Sequence, residues 1–290
     1  MGFCTSAAHG GSRLKAFRLI LLILTLPLLG LASCNLSGSA TNALGPGFVG
    51  KFAIGQPESD GSVKVVSYNI SFAEEADLAT RELLELEELR DADIVLLQEM
   101  DETGTIQIAR ALAYNFVYYP ASIHNRHNRY FGNAILSRWP IDNQERIVLP
   151  HKNPKDGQRR IAVRAVVTLD DLEVLVYSVH TETPWLNASK RADQIAVLVD
   201  SIDEGYPYVI VGGDFNTLTP GAVADLERRF EAAGLERASS ATAPTIQFES
   251  IGLTLDHILV RGMAVLATGA ADEAAASDHL PIWATLRPVR

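Results

Sequence analysis

Short apolar runs that end in polar side chains recur along this chain, and they constrain its fold more than any other feature. Residues 93–99 (DIVLLQE) form a continuous apolar run, which is typical of a strand buried on both faces. Residues 63–70 (VKVVSYNI) alternate and are rich in β-branched side chains, which also predicts a strand. Further strands are predicted at NAILS, IAVRAVVTL, LEVLVYSVH, YVIVGG, LTLDHILV and PIWATL.

Helical patterns lie between these predicted strands. Apolar stripes at helical spacing predict two helices, one with Ala79, Leu83 and Leu86 and one with Ile195, Leu198, Val199 and Ile202. A third helix is predicted to begin with Thr219 as its N-cap and Pro220 in the first helical position, and to end at Gly234. Strands interleaved with helices indicate α/β layers, and periodicity alone leaves open whether the sheets are parallel or mixed.

The first 33 residues have the pattern of an export signal. Three basic residues precede the apolar run LILLILTLPLLGLA, which is shorter than the ~20 residues of a spanning helix and is interrupted by Pro27. The tail LASC resembles a bacterial lipobox, which implies lipidation of Cys34. We therefore expect an exported lipoprotein, anchored to the outside of the cell membrane or in the periplasm. An uncleaved signal anchor is the alternative.

The rest of the chain divides into a tether and one domain. Residues 34–61 are rich in Gly, Ser, Ala and Pro, which predicts a flexible tether, and residues 62–290 are expected to form a single catalytic domain. The two cysteines are Cys4 and Cys34, so this domain has none to pair. Removal of the signal deletes three basic residues and no acidic one, which takes the net charge from −10 to −13.

The charge is unevenly distributed along the domain. A strongly acidic domain has no general electrostatic attraction for a nucleic acid. Residues 121–165, however, hold nine Arg or Lys against three Asp or Glu. This segment is either a solvated surface or a local wall that attracts phosphate, and the sequence leaves both interpretations open.

Polar side chains fall at the ends of four predicted strands, where α/β folds place their ligand crevices. These side chains are Asn69, Glu99, His180, and Asp214 with Asn216. Residues two apart on a strand point the same way, so Asp214 and Asn216 can both face a site. Gly212 and Gly213 are expected to leave room there for a ligand. Two Asp-His pairs, Asp256-His257 and Asp278-His279, extend the set.

The motifs YNI, LLQE, GNAILSR, SVHTE, GGDFN, LDHILV and SDHLP, in this order, resemble the endonuclease/exonuclease/phosphatase superfamily. This superfamily includes deoxyribonucleases, sphingomyelinases and inositol phosphatases, and the resemblance runs over residues 63–286. It implies an α/β four-layer sandwich of two mixed β-sheets flanked by helices. It also implies metal-dependent hydrolysis of a phosphate ester. A phosphodiesterase is favoured, and a nuclease acting on extracellular DNA or RNA is the alternative.

The resemblance also implies roles for individual residues. Glu99 and Asn69 match the metal site, with Asp278 as an additional contact, and the cofactor is expected to be Mg²⁺ or, alternatively, Mn²⁺. His279 matches the general base and Asp256 the carboxylate that orients it.

Other residues match the groups that surround the phosphate. Asp214 would align the attacking water, Asn216 would donate to the phosphate, and His180 would stabilise the transition state or protonate the leaving group. Arg160 is a weaker candidate for a phosphate contact and Asn133 a weaker one still. His257 is expected to be structural.

Competing classes have little support in the sequence. The strings GDxxD and GNHE of binuclear metallophosphoesterases are absent, as is the HExxH of zinc hydrolases. A catalytically silent, lipid-tethered binding module would be expected to lose its base or its metal ligand, and both are present. We therefore expect a monomeric enzyme that acts on a lipid headgroup, a small phosphodiester or a nucleic acid.

Overall fold

The computed structural model describes residues 45–55, 57–124, 126–183, 186–242, 244–248 and 251–289. The predicted export signal, Cys34 and the first part of the predicted tether lie outside the described residues. Among the residues that are described, no helix is long and apolar enough to cross a membrane. The described residues cover the predicted catalytic domain and the last part of the predicted tether.

The described residues form fifteen strands and four α-helices. The strands are β1 (Phe48–Gly50), β2 (Val63–Asn69), β3 (Ile94–Met100), β4 (Asn115–Ile123), β5 (Tyr130–Ser137), β6 (Ile141–Val148), β7 (Ile161–Leu169), β8 (Leu172–His180), β9 (Tyr208–Asp214), β10 (Glu236–Arg237), β11 (Ile246–Phe248), β12 (Ile251–Leu253), β13 (Asp256–Arg261), β14 (Met263–Ala270) and β15 (Ile282–Pro288). The helices are α1 (Ala76–Glu85), α2 (Glu102–Leu112), α3 (Ala188–Asp200) and α4 (Pro220–Glu231).

The strands of the described chain form two large sheets and one small one. The larger sheet has seven strands in the order β1-β4-β5-β3-β2-β15-β14, and the second has six in the order β10-β13-β9-β8-β7-β6. Strands β2 and β3 are parallel, as are β8 and β9, and the other pairs are antiparallel. Strands β11 and β12 form a separate hairpin. The predicted fold class, two mixed sheets with helices, is confirmed.

Three apolar cores separate four layers. The central core lies between the two large sheets and takes one row of side chains from strands of each, for example Val65, Ile94, Val176 and Ile210. The alternate row of β2 and β3 packs with α1 and α2, whereas the alternate row of β8 and β9 packs with α3 and α4. Strands buried on both faces explain why these runs are apolar throughout.

Helices α2, α3 and α4 begin at side-chain caps, whereas α1 has none. Thr219 is the N-cap of α4, where its side chain accepts a hydrogen bond from Ala222 N, and Pro220 occupies the first turn as predicted. The helix ends at Glu231, before the predicted end at Gly234. Helix α2 was not predicted, although Asp101 caps it by accepting from Gly104 N at 2.7 Å.

Strands β4, β6, β10, β11 and β14 were not predicted from the sequence. Two further segments have a structure that differs from the one predicted for them. Phe48–Gly50, within the predicted tether, pairs with β4 because the Phe48 ring packs against those of Tyr118 and Tyr130. The predicted strand LTLDHILV is broken between β12 and β13. The Thr245 hydroxyl accepts the backbone N–H groups of Leu255 and Asp256, which replaces strand pairing at that point.

Candidate active site

The inward-facing rows of three strands end at one edge of the sandwich. Asn69 ends the row of β2, His180 that of β8 and Asp214 that of β9. The alternation of the strands places these side chains on the face that otherwise fills the central core. Asn69 Nδ2 donates to Asp214 Oδ2 at 3.1 Å, so the two sheets meet through polar side chains at this edge.

Glu99 reaches the same edge through a β-bulge. The pairing of β3 with β5 shifts between Leu97 and Met100, and Glu99 has a φ of 58°. Gln98 occupies the inward row in its place and donates to Ser178 Oγ at 3.1 Å. The bulge turns the Glu99 carboxylate to within 3.9 Å of His180 Nε2. Burial raises the pKa of Glu99, although the charge of Arg160 opposes the shift.

The two glycines before Asp214 allow protein atoms to come close. A Cβ at Gly212 would lie 2.5 Å from Leu96 Cδ1 of the opposite sheet, and a Cβ at Gly213, whose φ is 154°, would lie 1.9 Å from Val179 O. The room that the sequence assigned to a ligand is therefore filled by the neighbouring strand and the facing sheet. Both glycines permit the approach that brings Asp214 to Asn69.

Asp214 is the centre of the polar cluster. Its Oδ1 accepts from Asn216 N at 2.9 Å, and its Oδ2 lies 3.4 Å from His180 Nε2 and 3.9 Å from His279 Nε2. Burial raises the pKa of Asp214 to about 7. The group can therefore exchange protons with its neighbours near neutral pH.

His279 is bonded to one carboxylate and faces a second. Its Nδ1 lies 2.9 Å from Asp256 Oδ2, which leaves Nε2 facing Asp214. Burial alone would lower the pKa of His279, but the charges of Asp256 and Asp214 raise it to about 10. The imidazole is a proton acceptor of unusual strength for a histidine, and it would carry a proton at pH 7 in this arrangement.

His180 has the opposite electrostatic character. Burial, together with the positive charge of Arg160, lowers the pKa of His180 well below its ordinary value. Arg160 NH1 donates to His180 Nδ1 at 3.5 Å, which places the proton of the neutral ring on Nε2, toward Asp214 and Glu99. Arg160 itself is 5 % exposed, and its guanidinium faces His180 and Glu182.

Glu182 is a site neighbour that the sequence did not single out. Its buried Oε1 accepts from Asn153 Nδ2 at 3.0 Å and from Thr183 N at 2.8 Å, and it lies 3.5 Å from Arg160 NH2. The signal was in the SVHTE motif, since Glu182 lies two residues beyond His180. Its importance depends on Arg160, which is distant in the sequence.

Three remaining candidates have distinct environments. Asn216 Nδ2 donates to Thr181 O at 3.1 Å, and its amide has a second N–H. Asn133 does not act as a phosphate donor in this arrangement, because its amide donates to the carbonyls of Ile161 and Ser178. His257 is structural as expected. It is fully buried against Thr217 Oγ1 at 2.6 Å, and burial lowers its pKa to about 3.

Two sets of oxygen and nitrogen atoms could hold a metal ion. Glu99 supplies a partly buried carboxylate beside the Asn69 amide, and Asp278 is exposed at the rim, where its charge raises the pKa of Glu99. This oxygen-rich set fits a hard divalent cation. The second set, Asp214, Asp256 and His279, has its potential ligand atoms within 4.8 Å of one another. In the second set, His279 Nδ1 is already hydrogen-bonded to Asp256.

The fold and the cluster of polar side chains agree with one protein family. Residues 66–279 match the Endonuclease/Exonuclease/phosphatase family, and the chain belongs to this family. A curated relative, a UPF0294 protein of Vibrio cholerae serotype O1, is 29% identical over 118 residues. That match covers 41% of this chain and 41% of the relative, so this chain spans about two fifths of the relative's length.

Several solved structures share the fold. An endonuclease/exonuclease/phosphatase from Beutenbergia cavernae has a TM-score of 0.63 at 19% identity, and the match covers 78% of this chain and 72% of that one. The structure of D. rerio TDP2 complexed with single strand DNA product has a TM-score of 0.59 at 21% identity. That match covers 79% of this chain and 100% of the TDP2 chain. A Bacteroides thetaiotaomicron mannosyl-6-phosphatase has a TM-score of 0.61 at 16% identity, and the match covers 77% of this chain and 99% of that one. At these identities the likeness shows the fold alone.

Proposed function

We propose that this protein hydrolyses phosphodiesters with the help of a divalent cation, Mg²⁺ or Mn²⁺. The observation that carries the proposal is the 2.9 Å contact between His279 Nδ1 and Asp256 Oδ2, which leaves Nε2 directed toward Asp214. An imidazole that is held by a carboxylate at one nitrogen and open at the other is suited to take a proton from water.

The cation would be held by Glu99 and the Asn69 amide, with Asp278 as an additional contact. The support is the chemistry of the donors, which are oxygen atoms of one partly buried carboxylate, one buried amide and one exposed carboxylate. When bound, the cation supplies positive charge that offsets the negative charge of the phosphate and of the leaving oxygen.

The remaining steps belong to the chain's own side chains. Asp214 orients the attacking water, and His279 takes its proton once the imidazole is neutral. Asp256 then stabilises the imidazolium that forms. The second N–H of Asn216 donates to the phosphate. His180 is neutral with its proton on Nε2, which favours hydrogen-bond donation to the transition state over transfer of a proton to the leaving group.

The choice of a diester over a monoester is tested by a substrate panel. The full-length protein, purified in detergent, is incubated with Mg²⁺ or Mn²⁺ and plasmid DNA, sphingomyelin, phosphoinositides, a chromogenic bis-ester and the matching chromogenic monoester. We expect hydrolysis of the bis-ester that stops when the cation is chelated. Hydrolysis of the monoester with no diester turnover would contradict the proposal.

We also propose that the protein is an exported lipoprotein attached through Cys34. The support is in the sequence alone, namely the basic head, the interrupted apolar run and LASC before a Gly- and Ser-rich segment. Acyl chains on Cys34 are expected to move the mature protein into the membrane fraction. Cys34→Ala should then lose the lipid mass and leave that fraction. Unchanged mass and fractionation would contradict the proposed anchor.

A further inference from the structure

A cluster of four rings lies beside the candidate active site. This ring cluster consists of Phe72, His124, His127 and Phe131. The Phe72 ring lies 4.4 Å from that of His124 and 5.2 Å from that of His127, and the two imidazoles lie 4.7 Å apart. Phe131 is buried, whereas the other three rings are only partly buried. The cluster therefore presents flat faces and edges at the surface.

The ring cluster is continuous with the catalytic side chains. The buried Phe131 ring lies 5.6 Å from that of His124 and 6.0 Å from that of His180. The guanidinium of Arg160 sits over the same Phe131 ring at 5.1 Å. A phosphate beside His180 would thus have its substituent next to these rings.

The backbone that carries Phe72 is strained. Ser71, Phe72 and Ala73 have φ values of 29°, 61° and 52°, a run of left-handed residues without a glycine. The segment is fixed at both ends, since Ser71 N donates to Asn69 Oδ1 at 3.1 Å and Arg129 donates to Phe72 O. Arg129 is itself paired with Asp101 at 3.0 Å. The strain is thus maintained by contacts that include Asn69, a proposed metal neighbour.

Two polar atoms around the cluster have no partner among the described residues. His124 Nδ1 and Arg160 Nε are both buried and make no hydrogen bond there. A buried donor or acceptor without a partner is costly, so such atoms mark places where a ligand can bond. Burial, reinforced by the nearby His127, lowers the pKa of His124, which makes its ring neutral and suited to stacking.

We propose that the ring cluster is a stacking subsite for an unpaired nucleobase on the scissile phosphodiester. The inference rests on the proposed function, because it names the group attached to the phosphate that the catalytic residues act on. Partly exposed rings offer π-faces to a base, and the unpartnered nitrogens offer hydrogen bonds to its edge. A base within a duplex is already stacked and paired, so the subsite suits a small nucleotide diester or a single-stranded end.

The experiment compares two substrates with one backbone. The full-length protein in detergent is assayed with Mg²⁺ or Mn²⁺ on dithymidine monophosphate and on the same sugar-phosphate backbone without bases. The bis-ester serves as a separate readout of diesterase activity. Stacking on aromatic side chains should give the base-bearing compound a kcat/KM at least about tenfold higher. Phe72→Leu and His127→Leu should each reduce that ratio by about fivefold, and Phe72→Tyr should preserve it.

Phe52→Leu is the matched control, because Phe52 is also a partly buried ring and stacks on Phe116 at 5.8 Å outside the ring cluster. It should leave the ratio unchanged. Two outcomes would overturn the subsite and leave the proposed function standing. One is an equal kcat/KM on the compounds with and without bases, and the other is turnover of the bis-ester but of neither of these compounds. A wild-type ratio in both Leu variants would overturn it too. Failure on every diester would instead reject the proposed function.

Discussion

The two sheets contribute chemically different groups to one edge. The seven-stranded sheet supplies Asn69 and Glu99, and the six-stranded sheet supplies His180, Asp214 and Asp256. Glu99 has no basic group nearer than His180 Nε2 at 3.9 Å among the described residues, whereas Asp256 contacts His279 at 2.9 Å. The carboxylate of the first sheet is therefore available to a cation, and those of the second are committed to holding a proton. The predictions that follow test this division.

The largest effect is expected at His279. His279→Ala removes the proposed base and should lower kcat/KM on the bis-ester by about 10²- to 10⁴-fold, the usual contribution of a general base. The substitution leaves Asp256 buried without its partner, so the melting temperature should fall, and the rates are normalised to folded protein measured by circular dichroism. His151→Ala is the control, since it removes a partly exposed histidine that pairs with Asp193. Wild-type turnover in His279→Ala would reject the mechanism.

The next effect should appear in the cation dependence of Glu99→Gln. The amide keeps the shape of the side chain and removes its charge, which a hard cation requires. The Mg²⁺ concentration for half-maximal activity should rise at least about tenfold, in line with losses known for groups around metal sites. Glu173→Gln, at the start of β8, alters an exposed carboxylate and should titrate as wild type. If the Mg²⁺ titration of Glu99→Gln also overlays that of wild type, the assignment of cation binding to the seven-stranded sheet is wrong.

A third effect separates the proton-transfer groups. Asp256 raises the pKa of His279, so Asp256→Asn should lower that pKa. The base must be neutral to act, so the rising limb of kcat/KM against pH should move to lower pH by about 1 to 3 units. The plateau should also fall because the imidazolium loses its partner.

The double variant of His279 and Asp256 provides the cross-check. Residues that act as one unit give penalties that do not add, so Asp256→Asn in a His279→Ala background should cost much less than it does alone. If the free-energy penalties of the two single variants add up to that of the double variant, His279 and Asp256 act independently. An unmoved rising limb in Asp256→Asn would show that another group sets it.

Much of the site follows from the alternation of strands. Asn69, His180 and Asp214 each end an apolar run, and the parallel pairs β2–β3 and β8–β9 bring those ends to one edge. The same rule fails for Glu99, because strict alternation would place Gln98 at the edge and turn Glu99 toward the helices. Only the bulge, with its φ of 58°, redirects Glu99, and nothing local in LLQE predicts a bulge.

Other features depend on partners that are distant in the sequence. The strand β1 is short and glycine-bearing, and it forms because aromatic rings of β4 and β5 are nearby. Three cations of the basic segment 121–165 likewise have partners elsewhere in the fold. Arg138 faces Asp93, Arg146 donates to the carbonyls of Gly45 and Pro120, and Arg164 pairs with Glu145. These three cations are therefore engaged within the fold, and Arg160 is the basic residue of that segment that contacts His180.

The smallest effect is expected at Glu182, a positioning residue that acts through Arg160 and His180. Glu182→Gln keeps most hydrogen bonds to Oε1 and removes the negative charge 3.5 Å from Arg160 NH2. Arg160 then loses its buried counter-ion, and its hold on His180 Nδ1 weakens. We expect kcat to fall by about three- to tenfold with KM nearly unchanged, because His180 acts in the transition state. The pH of the rising limb should stay in place, since the pKa of His279 is set by other carboxylates.

A loss of general stability would lower the active fraction at every pH, so the kinetic constants are normalised to folded protein measured by circular dichroism. Arg160→Lys should produce the same split between kcat and KM. An equal rise in KM, or full activity in both variants, would remove Glu182 and Arg160 from the mechanism and leave His180 to be oriented by Asp214 alone.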